Sequence, residues 1–140
     1  MRKYSASGLL GSGKYFCTAR DPVLLLGGSD EDNLFQLPGL EQQLDLLASL
    51  GGNYVRNTMS SRDEGNVWAF AKNENGLFDL DKWNDEYWVR LDNLLKLILE
   101  RDIIVQVEIW DPHDHFRDAK LAGWSFHPFN PVNNITYTIK

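Results

Sequence analysis

Cysteine is almost absent from this 140-residue chain, Cys17 being the only one. No disulfide can therefore close within the chain, and no cysteine-based metal site can assemble. Cys17 lies in Tyr15-Phe16-Cys17, where a packed thiol is expected rather than a reactive one. Positive charge is also scarce. Lys and Arg total 14 against 20 Asp and Glu, a formal charge of −6 with a pI near 4.9. The phosphate-neutralising surface of a nucleic-acid binder is thus missing, and the same balance disfavours docking on anionic membranes. No apolar run reaches the roughly 20 residues of a membrane span. Met1-Arg2-Lys3 has the look of a signal-peptide start, but Ser5, Ser7, Gly11, Ser12, Gly13 and Lys14 interrupt any apolar stretch after it. Neither a signal peptide nor a membrane span is expected in this chain, and nothing in it specifies a compartment. Repeats, low-complexity tracts and Pro/Ser-rich linkers are missing too, so residues 1–140 are expected to belong to a single domain.

What is present is an alternation of strand and helix signals. Lys14 to Thr18 is β-prone, Arg20-Asp21-Pro22 is a turn signal, and Val23 to Leu26 is an apolar run ending in Gly27-Gly28. Together they predict a hairpin whose second arm is the first core strand. Pro38-Gly39 opens a helix with Leu40, Leu44, Leu47 and Leu50 on one stripe and Glu41, Gln42, Gln43 and Asp45 off it. Gly51-Gly52 stops that helix, and Asn53 to Asn57 is the second strand. Ser60 to Gly76 reads as a polar loop. Asp79 or Asp81 is expected to cap a second helix striped by Trp83, Tyr87, Leu91, Leu94, Leu95 and Ile98. Trp83 and Trp88 are expected to pack from it. Ile103 to Trp110 is a third strand, with Val105, Val107 and Ile109 on one face and Gln106, Glu108 and Trp110 on the other.

The order β-α-β-α-β suits parallel strands. A central strand of a doubly wound sheet is apolar on both faces, whereas the third strand here has a polar one. In a barrel the outward face meets helices while the inward face near the C-terminal rim can be polar and functional. The expected fold class is therefore α/β: a partial (β/α)8 TIM barrel comprising the first three strands and their helices, with an N-terminal β-hairpin. A whole barrel typically needs about 250 residues, and no fourth strand is legible before Lys140. Open strand edges in such a part-barrel predict marginal stability or self-association. Beyond the third strand come Asp111-Pro112-His113-Asp114-His115 and the aromatic run Gly123 to Pro131, placed at the active-site face of a barrel.

Several of these segments, taken in order, resemble one family. Leu50-Gly51-Gly52-Asn53-Tyr54-Val55-Arg56 resembles the second strand of clan-A (β/α)8-barrel glycoside hydrolases, the cellulase-like group that includes glycoside hydrolase family 5. Gly76-Leu77-Phe78-Asp79-Leu80 through Trp88 resembles the lead into their second helix, and residues 103–111 their third strand. His127-Pro128-Phe129-Asn130-Pro131 with Asn133-Asn134 resembles the loop that follows it. The resemblance spans roughly residues 14–135 and implies an N-terminal portion of an enzyme that hydrolyses β-linked glycans with retention. In that family two carboxyls about 5–5.5 Å apart act as acid/base and nucleophile, on the fourth and seventh strands. Neither strand is legible here, and Asn73-Glu74 comes too early to be the family's Asn-Glu pair. No catalytic acid or nucleophile is assigned, and the chain alone is expected to be inactive.

The residues expected to touch substrate or support the site are Arg56, Glu108, Trp110, Asp111, His113, His115 and Trp124. Arg56 matches the family's arginine beside the nucleophile, where a guanidinium keeps a carboxylate ionised and oriented. Glu108 is expected to be an interior carboxylate paired with an arginine such as Arg56; a raised-pKa acid is the alternative. His113 and His115 form a His-x-His that can touch sugar hydroxyls, shape the loop, or hold a metal with Asp111 or Asp114. Trp68, Trp110, Trp124 and Phe126 offer faces on which a pyranose can stack, and Asp30 and Asn33 follow the first strand as hydrogen-bonding or turn residues. The expected partner is carbohydrate, with no metal and no cofactor. Two other functions remain open: a metal-dependent, amidohydrolase-like barrel hydrolase, and a non-catalytic chain that binds sugar without cutting it.

Overall fold

The computed structural model describes residues 10–12, 15–17, 22–109, 112–116, 118–119 and 122–137. Within them the chain is mixed α/β, built from small sheets. Strands β1 (Leu10–Ser12), β2 (Tyr15–Cys17) and β3 (Pro22–Val23) form an antiparallel sheet in that order. Phe16 pairs with Val23, which is the expected hairpin. Its second arm is shorter than the apolar run suggested. After Val23 the chain lies beside β4 (Tyr54–Thr58) through a single parallel bridge, Gly27 to Tyr54. Asn53 clamps the two together: its N–H donates to the Leu26 carbonyl at 2.7 Å, its Oδ1 accepts the Leu26 N–H and its Nδ2 donates to the Leu24 carbonyl.

A 3-10 turn (Leu34–Gln36) leads to α1 (Leu40–Ser49). Gly51, at φ +83°, ends the helix in the left-handed conformation glycine tolerates, and the Gly52 N–H returns to the Leu47 carbonyl at 2.9 Å. β4 then pairs in parallel with β7 (Ile104–Glu108) in the register Tyr54–Ile104 through Thr58–Glu108. Between them runs α2 (Asp85–Glu100). The core lies where α1, α2 and the 3-10 turn meet the outer face of β4: Leu34, Phe35, Leu40, Leu44, Val55, Tyr87, Leu94, Ile98 and Ile103 are all buried. Arg101, following α2, bridges to Glu41 and Asp45 of α1 and locks the helices side by side.

The stretch before α2 departs from expectation. Part of the region read as a polar loop forms β5 (Phe70–Lys72), and the supposed helix lead forms β6 (Phe78–Trp83), the two pairing as an antiparallel hairpin. Its turn is made by Asn73, whose Oδ1 accepts the N–H groups of Asn75 and Leu77, and by Gly76 at φ +78°. Trp83 thus sits on a strand rather than the helix stripe, stacked on Phe70 at 5.1 Å. The helix cap is Asn84 and neither Asp79 nor Asp81: its Oδ1 accepts the Glu86 N–H. Asp79 stays on β6, accepting from the Asp81 N–H and pairing with Lys82, and hydrogen bonding to Lys82 holds its carboxyl below the usual carboxylate range. Asn84→Ala is expected to cost about 1 kcal/mol, the usual loss on removing an N-cap, read as a lower urea midpoint with an unchanged slope. Leu95, on the predicted stripe, is 42% exposed, and Val107 and Ile109 of the apolar third-strand face are also exposed, because no further layer covers that side among the described residues.

After β7 come α3 (His113–Phe116), β8 (Asp118–Ala119), β9 (Ala122–Gly123) and a loop to Tyr137. That loop is fastened to β6: Asn134 bridges Phe78, and the Leu80 N–H donates to Thr136 Oγ1.

Candidate functional site

In a parallel register, residues opposite one another share a face. Tyr54, Arg56 and Thr58 of β4 therefore lie on the same side of the sheet as Gln106 and Glu108 of β7, opposite the helices. Their side chains interlock. The Tyr54 hydroxyl donates to Gln106 Oε1 at 2.6 Å, and Gln106 Nε2 donates to Glu108 Oε1 at 3.1 Å. Thr58 Oγ1 donates to Glu108 Oε2, also at 3.1 Å.

Arg56 lies between two carboxylates, 3.7 Å from Glu108 and ion-paired directly with Asp32. Asp32 is also held by Arg62 at 2.8 Å, and Arg62 Nε reaches Asp114 of α3 at 3.1 Å. The result is a charge relay across the strand ends, Glu108–Arg56–Asp32–Arg62–Asp114, joining the loop after Gly27, β4, the loop after β4, β7 and α3. Asp32 is docked because its carbonyl accepts the Thr58 N–H at 2.6 Å and Asn57 Oδ1 accepts the Phe35 N–H at 2.9 Å. The pairs that Arg56 makes with Asp32 and Glu108 are half-exposed and contribute little stability. Asp114 is buried and paired with Arg62.

Next to the relay is an aromatic cluster. His127 is buried, with ring centroids of His115 at 4.5 Å, Phe129 at 5.0 Å and Trp68 at 5.6 Å. Trp124 lies nearly parallel to it at 5.9 Å and remains 37% exposed. His127 Nδ1 accepts the Phe129 N–H at 3.1 Å. Burial, with the neighbouring His115 second, lowers the His127 pKa to about 4. Met59, Ser61, Trp68, Tyr87, Asp114 and His127 are among the residues lining a small cavity beneath this cluster. Burial, with Asp114 second, raises the Tyr87 phenol above its ordinary value.

Of the residues expected from sequence, Arg56 and Glu108 are brought together, and Glu108 is the arginine-paired carboxylate. His115 and Trp124 meet in the aromatic cluster, at 5.9 Å. His113 is exposed at the start of α3, while the His115 ring packs against His127. No metal-binding group of three such side chains is found among the described residues. Trp110 and Asp111 lie outside the described residues. Trp68 is half-buried, edge-on to Phe78 and His127, whereas Phe126 is exposed. Asn33 is buried and bonded to Asn66. Asp32, Arg62 and His127 were not singled out from sequence. The only signal for Asp32 is its place in the acidic run Asp30-Glu31-Asp32 after the first strand segment.

The fold has a known counterpart. A crystal structure of a "putative glycoside hydrolase" from Bacteroides vulgatus superposes on 78% of this chain with a TM-score of 0.60, at 17% sequence identity. This chain has a glycoside hydrolase-like fold. It spans 25% of that protein's length. No protein-family model and no curated protein matches the sequence.

Proposed function

We propose that this chain forms the first three β/α units of a (β/α)8 barrel of the clan-A, cellulase-like glycoside hydrolases, and that it supplies part of a binding site for a β-linked glycan. The observation that carries this reading is Arg56, held between Asp32 and Glu108 on the polar face of two parallel strands, together with the partly exposed Trp124 of the aromatic cluster that follows β7. In that role Trp124 stacks on the apolar face of a pyranose, and the carboxylates of Asp32 and Glu108 accept its hydroxyls. Arg56, already tied to two carboxylates, orients a further one brought beside it. In the same reading His113 and His115, with Trp110 and Asp111 from sequence alone, are further candidates for sugar contact. Acid/base and nucleophile come from strands outside this chain, so binding without turnover is its expected behaviour. The similarity of the fold to a glycoside hydrolase supports this proposal, as does the parallel order of the Gly27 segment, β4 and β7.

The test is an NMR titration of the 140-residue chain with β-1,4-linked gluco-, xylo- and manno-oligosaccharides. The Trp124 indole N–H is expected to shift on binding, and Trp124→Ala to weaken affinity about tenfold, equivalent to about 1.4 kcal/mol. If millimolar oligosaccharide leaves every resonance in place, the reading fails.

A further inference from the structure

Five segments meet around the small cavity beneath the aromatic cluster. Met59 and Ser61 follow β4, Trp68 precedes β5, Tyr87 comes from α2, Asp114 from α3 and His127 from the final loop. Most polar groups on its wall are committed. Ser61 Oγ donates to the Val67 carbonyl at 2.6 Å and accepts from Gln36 Nε2 at 3.2 Å. Asp114 Oδ1 accepts from Arg62 Nε, and His127 Nδ1 accepts the Phe129 N–H. The exception is the Tyr87 hydroxyl. Tyr87 is 1% exposed, and its hydroxyl has no hydrogen-bond partner among the described residues. A buried hydroxyl without a partner is costly, and native folds satisfy nearly all such groups with protein or with ordered water.

We propose that this cavity is the binding site of one ordered water, which the Tyr87 hydroxyl and the Asp114 carboxylate hold in common and which ties α2 to α3. Size selects the ligand. The cavity volume is about 10 Å³, and a single water needs about 10–15 Å³, so nothing larger fits. The wall selects it as well. The water accepts from the Tyr87 O–H and donates to Asp114 Oδ2, Oδ1 being the atom that Arg62 engages. With Nδ1 of His127 accepting, the neutral imidazole carries its proton on Nε2. That N–H is a third partner, and an internal water typically makes about three hydrogen bonds. Asp114 also helps to raise the Tyr87 phenol although the two share no direct hydrogen bond, the relation of groups one water apart. The inference rests on the cavity and its wall and does not depend on the glycan reading.

Water–protein NOE and ROE spectra of the 140-residue chain are expected to show a long-lived water beside the Tyr87 ring protons. Tyr87→Phe keeps the ring and is expected to lose that water. The sign of its stability change is a second readout. Removing a water-bridged hydroxyl lowers the midpoint of urea unfolding, whereas removing an unpartnered one relieves its burial cost and raises it. Tyr87→Phe combined with Asp114→Asn should lower the midpoint by less than the sum of the two single changes, because both remove the same bridge. Should these variants fail to fold, the wild-type spectra decide the point without them. Wild type with no long-lived water at Tyr87 overturns the proposal. So does a midpoint that holds or rises in Tyr87→Phe, or a water that persists unchanged in that variant.

Discussion

Gly27→Ala is expected to destabilise the chain by roughly 2–3 kcal/mol, the cost of forcing an atom into a closed contact, with Tm falling by about 10 °C. A β-carbon on Gly27 would overlap the Tyr54 carbonyl oxygen and stand 2.9 Å from its carbonyl carbon. These are backbone atoms, so no rotamer change can relieve the contact; the Gly27 segment must separate from β4. The consequences extend beyond the bridge. The Asn53 clamp on Leu24 and Leu26 depends on the same approach, and the segment leads directly to Asp32, whose carboxylate ties Arg56 to Arg62. Gly28→Ala is the control, because a β-carbon there meets nothing within 4 Å and is expected to leave the melt unchanged. Equal melting of the two variants would mean that the parallel contact with Tyr54 does not form. A selective loss at Gly27 that also weakens oligosaccharide binding would tie the relay's assembly to this one close approach.

The parts of the fold legible in the sequence are those with a long, single period. Leu40, Leu44 and Leu47 mark α1, Tyr87, Leu94 and Ile98 mark α2, and both helices keep these residues against the core. β4 and β7 were also legible, and so was their polar face, because Gln106 and Glu108 alternate with Val105 and Val107. The β5–β6 hairpin was not. Its strands are short, a bulge breaks their register between Phe70 and Ala71, and the Asp-rich end of β6 imitates a helix cap. The strongest hint to it, Asn73-Glu74-Asn75-Gly76, is a turn sequence that fits a hairpin and a plain loop equally well. Helix periodicity also failed to say how wide the buried stripe would be. Leu95 falls at the right spacing but faces a flank that no layer covers among the described residues.

The site divides in the same way. Arg56 and Glu108 could be paired from sequence because both lie on strands whose register follows from the parallel order. Asp32 and Arg62 sit in irregular loops, where no period says which of three neighbouring acidic residues turns inward; Asp32 is selected by its backbone bond to Thr58, a tertiary fact. His127 lies in an aromatic run in which every second residue has a claim to the core. Its choice depends on His115 and Trp68, which are distant in sequence.

His127 sets the largest acid sensitivity expected of the fold. Its ring is 3% exposed, Nδ1 accepts the Phe129 N–H, and the imidazole is packed among Trp68, Trp124, Phe129 and His115. Asp114 and Tyr87 line the same cavity, but Asp114 is already engaged by Arg62. Burial first, and His115 second, lower the His127 pKa from 6.5 to about 4. An unfolded chain therefore takes up this proton near pH 6.5, while the folded chain resists it until about pH 4. Stability from the neutral, buried ring is complete above pH 6.5 and is lost as pH falls from there toward 4, a total on the order of 3 kcal/mol. Carboxylates titrate over the lower part of this window, so the comparison that isolates His127 is with His127→Phe, which keeps an aromatic ring in the cluster. Urea unfolding between pH 7 and pH 4 is expected to show wild type losing about 3 kcal/mol more than the variant. Parallel pH profiles would show that the imidazole is not held neutral. Because the Trp124 indole stacks on this ring, charging His127 also loosens the proposed sugar platform. Oligosaccharide affinity of the wild type should then decline through the same window, while His127→Phe holds its affinity to lower pH.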